Sequence, residues 1–115
     1  MTAVVTEELR WHPVCPLDRL QPERGVAALL GERQVAVFRT HDGTVYAIGN
    51  LDPFSGAAVL SRGIVGDRGG VPCVVSPVYK QAFSLLDGRC LDEPDRSVPW
   101  YQVRVVDGAV QVGTS

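Results

Sequence analysis

The sequence predicts an all-β domain, an antiparallel sandwich or small barrel with long loops and little helix. Short runs rich in Val, Ile, Phe, Tyr and Thr recur along the chain, and such side chains fit a pleated, half-buried surface. Asp-Gly pairs stand between several of these runs, and Asp-Gly supplies the positive φ that a tight hairpin turn requires. No window carries a helical apolar stripe for long without meeting Gly or Pro.

The runs, in order, are LRWHPVC (9–15), RQVAVFRT (33–40), TVYAIGN (44–50), PCVVS (72–76), AFSLL (82–86), WYQVRVV (100–106) and AVQVG (109–113). Asp42-Gly43 predicts that 34–40 pairs with 44–50, and Asp107-Gly108 that 101–106 pairs with 109–113. Asp87-Gly88 is expected to join 82–86 to 89–91. PLDRLQPERG suits one helical turn before Gly25, and EPDRSVP another short turn. Residues 51–71 form the longest stretch without a strand pattern. A loop of that length inside a compact domain is usually functional or mobile. Within it, GIVGDRGG is not followed by a Gly-Lys-Ser/Thr or an opening helix, so it reads as a flexible connection rather than a phosphate cradle.

The chain has 115 residues, so a single domain over 1–115 is expected, with 1–9 as a flexible N-terminus. The net charge is −2, with basic residues scattered among acidic ones. That balance speaks against nucleic-acid or anionic-membrane partners. MTAVVTEELRW has neither a basic start nor a long apolar run, so neither a signal peptide nor a membrane span is expected, and the expected location is cytoplasmic. The three cysteines, Cys15, Cys73 and Cys90, form no CxxC pair and read as free thiols packed as small apolar groups.

Familiar catalytic constellations fail on spacing. On a strand, the odd separation of His12 and Cys15 sends them to opposite faces, giving a surface histidine and a packed cysteine. His41 opens a hairpin turn and is expected to be solvated. None of Ser55, Ser61, Ser76 and Ser84 sits in a GxSxG elbow, and no histidine follows His41, which excludes a Ser-His-Asp hydrolase. Asp92, Glu93 and Asp95 share one polar turn, expected to be a solvated loop.

Two stretches remain: NLDPFSGAAVLSRG (50–63) and SPVYKQAFSLLDGRC (76–90). Their framework resembles the two boxes of a Rieske iron–sulfur domain. The first box of that family runs Cys-x-His, a small-residue turn, then Leu and Gly, and Leu60 and Gly63 fit its tail. The second runs Cys-Pro-x-His, a Phe, then a Gly turn, and Pro77, Phe83 and Gly88 fit it. The resemblance implies a Rieske-like sandwich over most of 10–113. In its register Pro53 and Ser55 stand at the first Cys and His positions, and Ser76 and Tyr79 at the second. A Rieske centre needs thiolates on one iron and imidazoles on the other. Proline offers no donor, and neutral hydroxyl oxygens are poor substitutes for soft sulfur. Cys73 and Cys90 fall at strand positions outside the box spacing. The resemblance therefore implies a scaffold without its cluster, with no metal site, cofactor-binding group or catalytic residue in this chain.

At the level of the whole stretches, the closer resemblance is to the small subunits of assimilatory NAD(P)H-dependent nitrite reductases. It implies cytosolic reduction of nitrite to ammonia for nitrogen assimilation, and a chain that is inactive alone. It also implies a large catalytic partner subunit that carries FAD, an iron–sulfur cluster and sirohaem and uses NAD(P)H. Pro53 and Pro77 would stiffen the turns, and Ser55, Ser76 and Tyr79 would hydrogen-bond across the vacated space. By analogy with the exposed cluster end of Rieske proteins, Phe54, Arg62, Tyr79 and Lys80 are the partner-docking candidates. Two alternatives stand beside this reading: a genuine 2Fe-2S electron-transfer subunit with atypical ligands, and a free-standing protein-interaction module.

Overall fold

The computed structural model describes residues 9–115; residues 1–8, which make up most of the expected flexible N-terminus, lie outside the described part. Among the described residues, nine strands form two antiparallel sheets. The strands are β1 (Arg10–Pro16), β2 (Arg24–Leu30), β3 (Arg33–Arg39), β4 (Val45–Gly49), β5 (Ile64–Arg68), β6 (Val71–Val75), β7 (Ala82–Ser84), β8 (Trp100–Val106) and β9 (Ala109–Thr114). Helix is confined to two single 3-10 turns, Leu17–Arg19 and Leu60–Arg62. No helix among the described residues is long and apolar enough to cross a membrane.

The larger sheet has the order β1-β9-β8-β4-β3-β2, and the smaller the order β5-β6-β7. The Asp-Gly hairpins form as expected: β3 pairs with β4, running from Arg39↔Val45 to Val35↔Gly49, and β8 pairs with β9 from Val106↔Ala109. The Asp87-Gly88 turn joins β7 to a single bridge, Phe83↔Cys90, rather than to a further strand. The first and last strands lie side by side, with Arg10 opposite Thr114.

β2 and β5 were not expected as strands. RGVAALL carries few β-branched residues, and IVGDR sits in the glycine-rich stretch that reads as a flexible connection. Both are edge strands, each paired on one side. An edge needs less β-propensity than a central strand, because only one neighbour constrains it. The Gly69-Gly70 pair is a hairpin turn between β5 and β6, with both residues at positive φ (61° and 88°). The alternation argument for His12 and Cys15 also needs correction, because β1 is bulged between Pro13 and Cys15. His12 is half-buried and lies 2.8 Å from the Thr114 hydroxyl, and Cys15 is half-buried against the core.

The core has two compartments, and β3 separates them. Val35, Val37 and Ala47 pack with Leu20, Val110 and Val112 inside the curl of the larger sheet. Ala36, Phe38 and Ile48 face the other way, onto Leu60, Val74, Phe83, Leu85, Cys90 and Val98. Successive strand residues point to opposite faces, so a strand packed on both faces reads as an unbroken apolar run. That is the origin of VAVF at 35–38, all fully buried. The second compartment joins the smaller sheet to the larger one, and the loops 50–63 and 76–81 rest on it.

Candidate functional site: the two-loop tip

The first loop is closed by its own backbone and two buried side chains. The Asn50 Oδ1 accepts the Ser61 N–H at 2.7 Å, tying the start of the loop to the 3-10 turn. The Asp52 N–H donates to the Ala57 oxygen (2.9 Å), and the Gly56 N–H donates back to the Asp52 oxygen (2.8 Å). Asp52 Oδ1 accepts the Phe54 N–H at 2.8 Å, an Asx turn over Pro53. The second loop closes on Ser76, whose N–H donates to the Gln81 oxygen and whose oxygen accepts the Lys80 N–H. Lys80 adopts a positive φ of 67° to make this turn.

Between the loops, the Ser76 hydroxyl donates to Asp52 Oδ2 at 2.5 Å. Both residues are fully buried. Ser76 therefore does reach across the space between the loops, and its partner is Asp52 rather than Ser55 or Tyr79. Ser55 is half-buried and turns back on its own loop, its Oγ accepting the Ala57 N–H at 3.2 Å. Tyr79 is 59% exposed and points away. Pro53 is half-buried, and its oxygen accepts Arg96 Nη1 at 3.4 Å.

Of the docking candidates, Arg62, Tyr79 and Lys80 are exposed. Phe54 is half-buried: its ring lies 6.2 Å from that of Phe83, tilted by 53°, and the Arg96 guanidinium sits 5.3 Å above it. Arg96 thus covers both Pro53 and Phe54 from the 91–99 loop, a role that its setting in a polar turn did not signal. Gly63, in the tail of the first box, lies where a Cβ would run into the Val75 oxygen and, at 2.6 Å, Val74 Cγ2. A side chain there would push β5 off β6.

Asp92 lies in an exposed loop, as expected, and also acts as a strut. Its Oδ2 accepts the N–H of fully buried Ala82 at 2.8 Å, and its Oδ1 accepts from Arg68 at 2.6 Å. The Ala82 N–H first, and Arg68 second, hold its carboxyl below the ordinary 3.8. A depressed folded pKa adds stability above the unfolded value, and that stability is lost as pH falls through the folded value. Asp92→Ala is expected to cost about 1–3 kcal/mol by stranding the Ala82 N–H. In urea titrations the gap from the wild type should be full above about pH 4 and shrink below it; a gap independent of pH would contradict the assignment.

A cleft of about 410 Å³ lies between the β3–β4 and β5–β6 turns, lined by Glu23, His41, Asp42, Tyr46, Asp67 and Leu86 among others. Two of its carboxyls, Asp42 and Asp67, serve the turns themselves. Asp42 accepts the Thr40 hydroxyl and the Thr44 N–H, which push it down to about 2, and Asp67 accepts the Gly70 N–H. His41 is exposed, as expected.

The donor set at the tip does not fit an iron–sulfur cluster. Pro53 has no donor, the Ser55 oxygen serves its own turn, the Ser76 proton goes to Asp52, and Tyr79 faces outward. Among the described residues, no three His, Cys, Asp or Glu side chains gather as a metal site. Cys73 and Cys90 are buried free thiols, and burial pushes the Cys73 thiol up, away from the thiolate that iron requires.

Residues 10–113 match the family described as the Rieske-like [2Fe-2S] domain. The small subunit of nitrite reductase (NADH) from Escherichia coli K12 is 47% identical over 104 residues, covering 90% of this chain and 96% of that one. The chain belongs to the Rieske-like family, among its nitrite reductase small subunits. A crystal structure from Mycobacterium tuberculosis, described as an NADH-dependent nitrite reductase small subunit, superposes with a TM-score of 0.92 at 56% identity, covering 95% of this chain and 98% of that one. A nitrite reductase NAD(P)H large subunit from Klebsiella oxytoca contains a stretch 50% identical over 103 residues, covering 90% of this chain and 11% of that protein. The matched residues 10–113 include both loops, 50–63 and 76–81.

Proposed function

We propose that this chain is the non-catalytic small subunit of a cytoplasmic NAD(P)H-dependent nitrite reductase, and that it works as one Rieske-like domain without a cluster of its own. The observation that carries this is the Ser76–Asp52 hydrogen bond between the loops, where the family's metal centre would otherwise join them. Redox chemistry then belongs to the large catalytic subunit, with its FAD, iron–sulfur cluster, sirohaem and NAD(P)H site. The Klebsiella large subunit, which includes a stretch of this kind, supports that partnership. The proposed docking surface is Phe54, Arg62, Tyr79 and Lys80. Tyr and Arg are frequent hot spots, and Arg62, Tyr79 and Lys80 are exposed on the two loops.

The test is co-purification and nitrite turnover with the large subunit. An Arg62→Ala, Tyr79→Ala, Lys80→Ala variant is expected to bind at least about tenfold more weakly, the scale of losing a hot spot. Undiminished binding would reject the surface. The [2Fe-2S] in the family's description favours a second reading, an electron carrier with atypical ligands. Iron analysis of the purified chain separates the two: the first expects a colourless, iron-free protein, and the second a brown one.

A further inference from the structure

We propose that Asp52 and Ser76 form a latch that positions the docking tip, taking over the mechanical role that a metal centre would have as the cross-link between the loops. This rests on the reading that the tip meets the large subunit. Among the described residues, no other hydrogen bond joins the 50–63 loop to the 76–81 loop. Each carboxyl oxygen of Asp52 serves a different loop: Oδ1 holds the Phe54 N–H, and Oδ2 holds the Ser76 hydroxyl. Ser76 then sets the second loop twice. Its Oγ accepts the Val78 N–H at 3.3 Å, and its backbone oxygen accepts the Lys80 N–H at 3.2 Å. Phe54 on one side and Tyr79-Lys80 on the other are thus referred to one buried carboxyl. The left-handed backbone at Lys80 costs energy for a side-chain-bearing residue, so the second loop relies on its tether to keep that shape.

A tethered tip binds as a preformed surface. Without the tether, only a fraction of the molecules hold the competent shape, and the apparent affinity falls by that fraction. Neither Asp52 nor Ser76 can touch the partner, because both are fully buried, so any effect on binding passes through the loops. Asp52→Asn keeps the shape and can hydrogen-bond both loops, with its amide donating to the Ser76 oxygen and its carbonyl accepting from Phe54.

The test measures the affinity of the full chain for the large subunit, with amide hydrogen exchange on the chain alone. Ser76→Ala and Asp52→Ala are expected to bind about tenfold more weakly and to exchange faster at Phe54, Val78 and Lys80, with β3 unchanged. Asp52→Asn is expected to stay within about threefold of wild type. Val112→Ala, destabilising but in the other core compartment, controls for lost stability and should bind normally. If Ser76→Ala does not fold, Ser76→Cys, with its weak thiol donor, replaces it with the same expected direction. The latch is overturned if Ser76→Ala binds like wild type while the Arg62, Tyr79, Lys80 triple variant does not. It is also overturned if Asp52→Asn and Val112→Ala lose as much binding as Asp52→Ala. If the triple variant binds normally while Ser76→Ala does not, the surface assignment fails and the latch stands.

Discussion

Gly88→Ala is expected to destabilise the domain by about 2–4 kcal/mol and lower its Tm by roughly 10 °C. Gly88 is buried at a φ of +77°, in the turn after β7. A Cβ there would run into the Val98 backbone oxygen and lie 3.2 Å from Val98 Cγ2. The left-handed backbone alone costs a side-chain-bearing residue about 1 kcal/mol. The clash adds about 1–3 kcal/mol, since neither party can yield cheaply. Val98 is held by its own N–H donating to the Gly88 oxygen at 2.9 Å, and its side chain belongs to the core that also takes Phe83 and Cys90. Gly31→Ala is the matched control: its φ is +64°, but nothing lies within 4 Å of the added methyl. It should show the backbone cost alone. If thermal melts of the two variants coincide, the Val98 carbonyl is not the fixed wall described above.

Asp52→Ala is expected to cost about 2–4 kcal/mol, because it strands the buried Ser76 hydroxyl and the Phe54 N–H together. Ser76→Ala should cost less, since the Asp52 Oδ1 keeps its bond to Phe54. The two losses overlap in the bond they share, so a double-mutant cycle by urea unfolding should give a coupling of about 1–2 kcal/mol. Additive losses, with no coupling, would mean that the bond is absent in solution.

Most of the strands that could be read from the sequence flank Asp-Gly turns; β1 and β6 were read from their apolar runs alone. Asp42-Gly43 and Asp107-Gly108 fixed two hairpin registers, because a turn of that chemistry leaves little choice of partner. β2 and β5 escaped because their runs are built largely from Ala, Leu, Gly, Asp and Arg, which suffice at an edge paired on one side, whereas the edge strands β1 and β7 carry aromatic residues. At the tip, the box spacing singles out Pro53, Ser55, Ser76 and Tyr79 but not their hydrogen-bond partners. Asp-Pro-Phe is a local signal for an Asx turn, and it points to the Phe54 N–H. Nothing local points to Ser76, which is 24 residues away and met only once β5, β6 and the second loop are in place. Arg96 was hidden in the same way: its targets, Pro53 and Phe54, belong to a distant loop.

The pairing of Arg10 with Thr114 carries a topological consequence. The polypeptide enters and leaves this fold on adjacent strands, at one doorway. A module with a shared doorway can be spliced into a longer protein without unthreading any strand or stretching a tether across its body. The Klebsiella oxytoca large subunit holds a comparable stretch as 11% of its length.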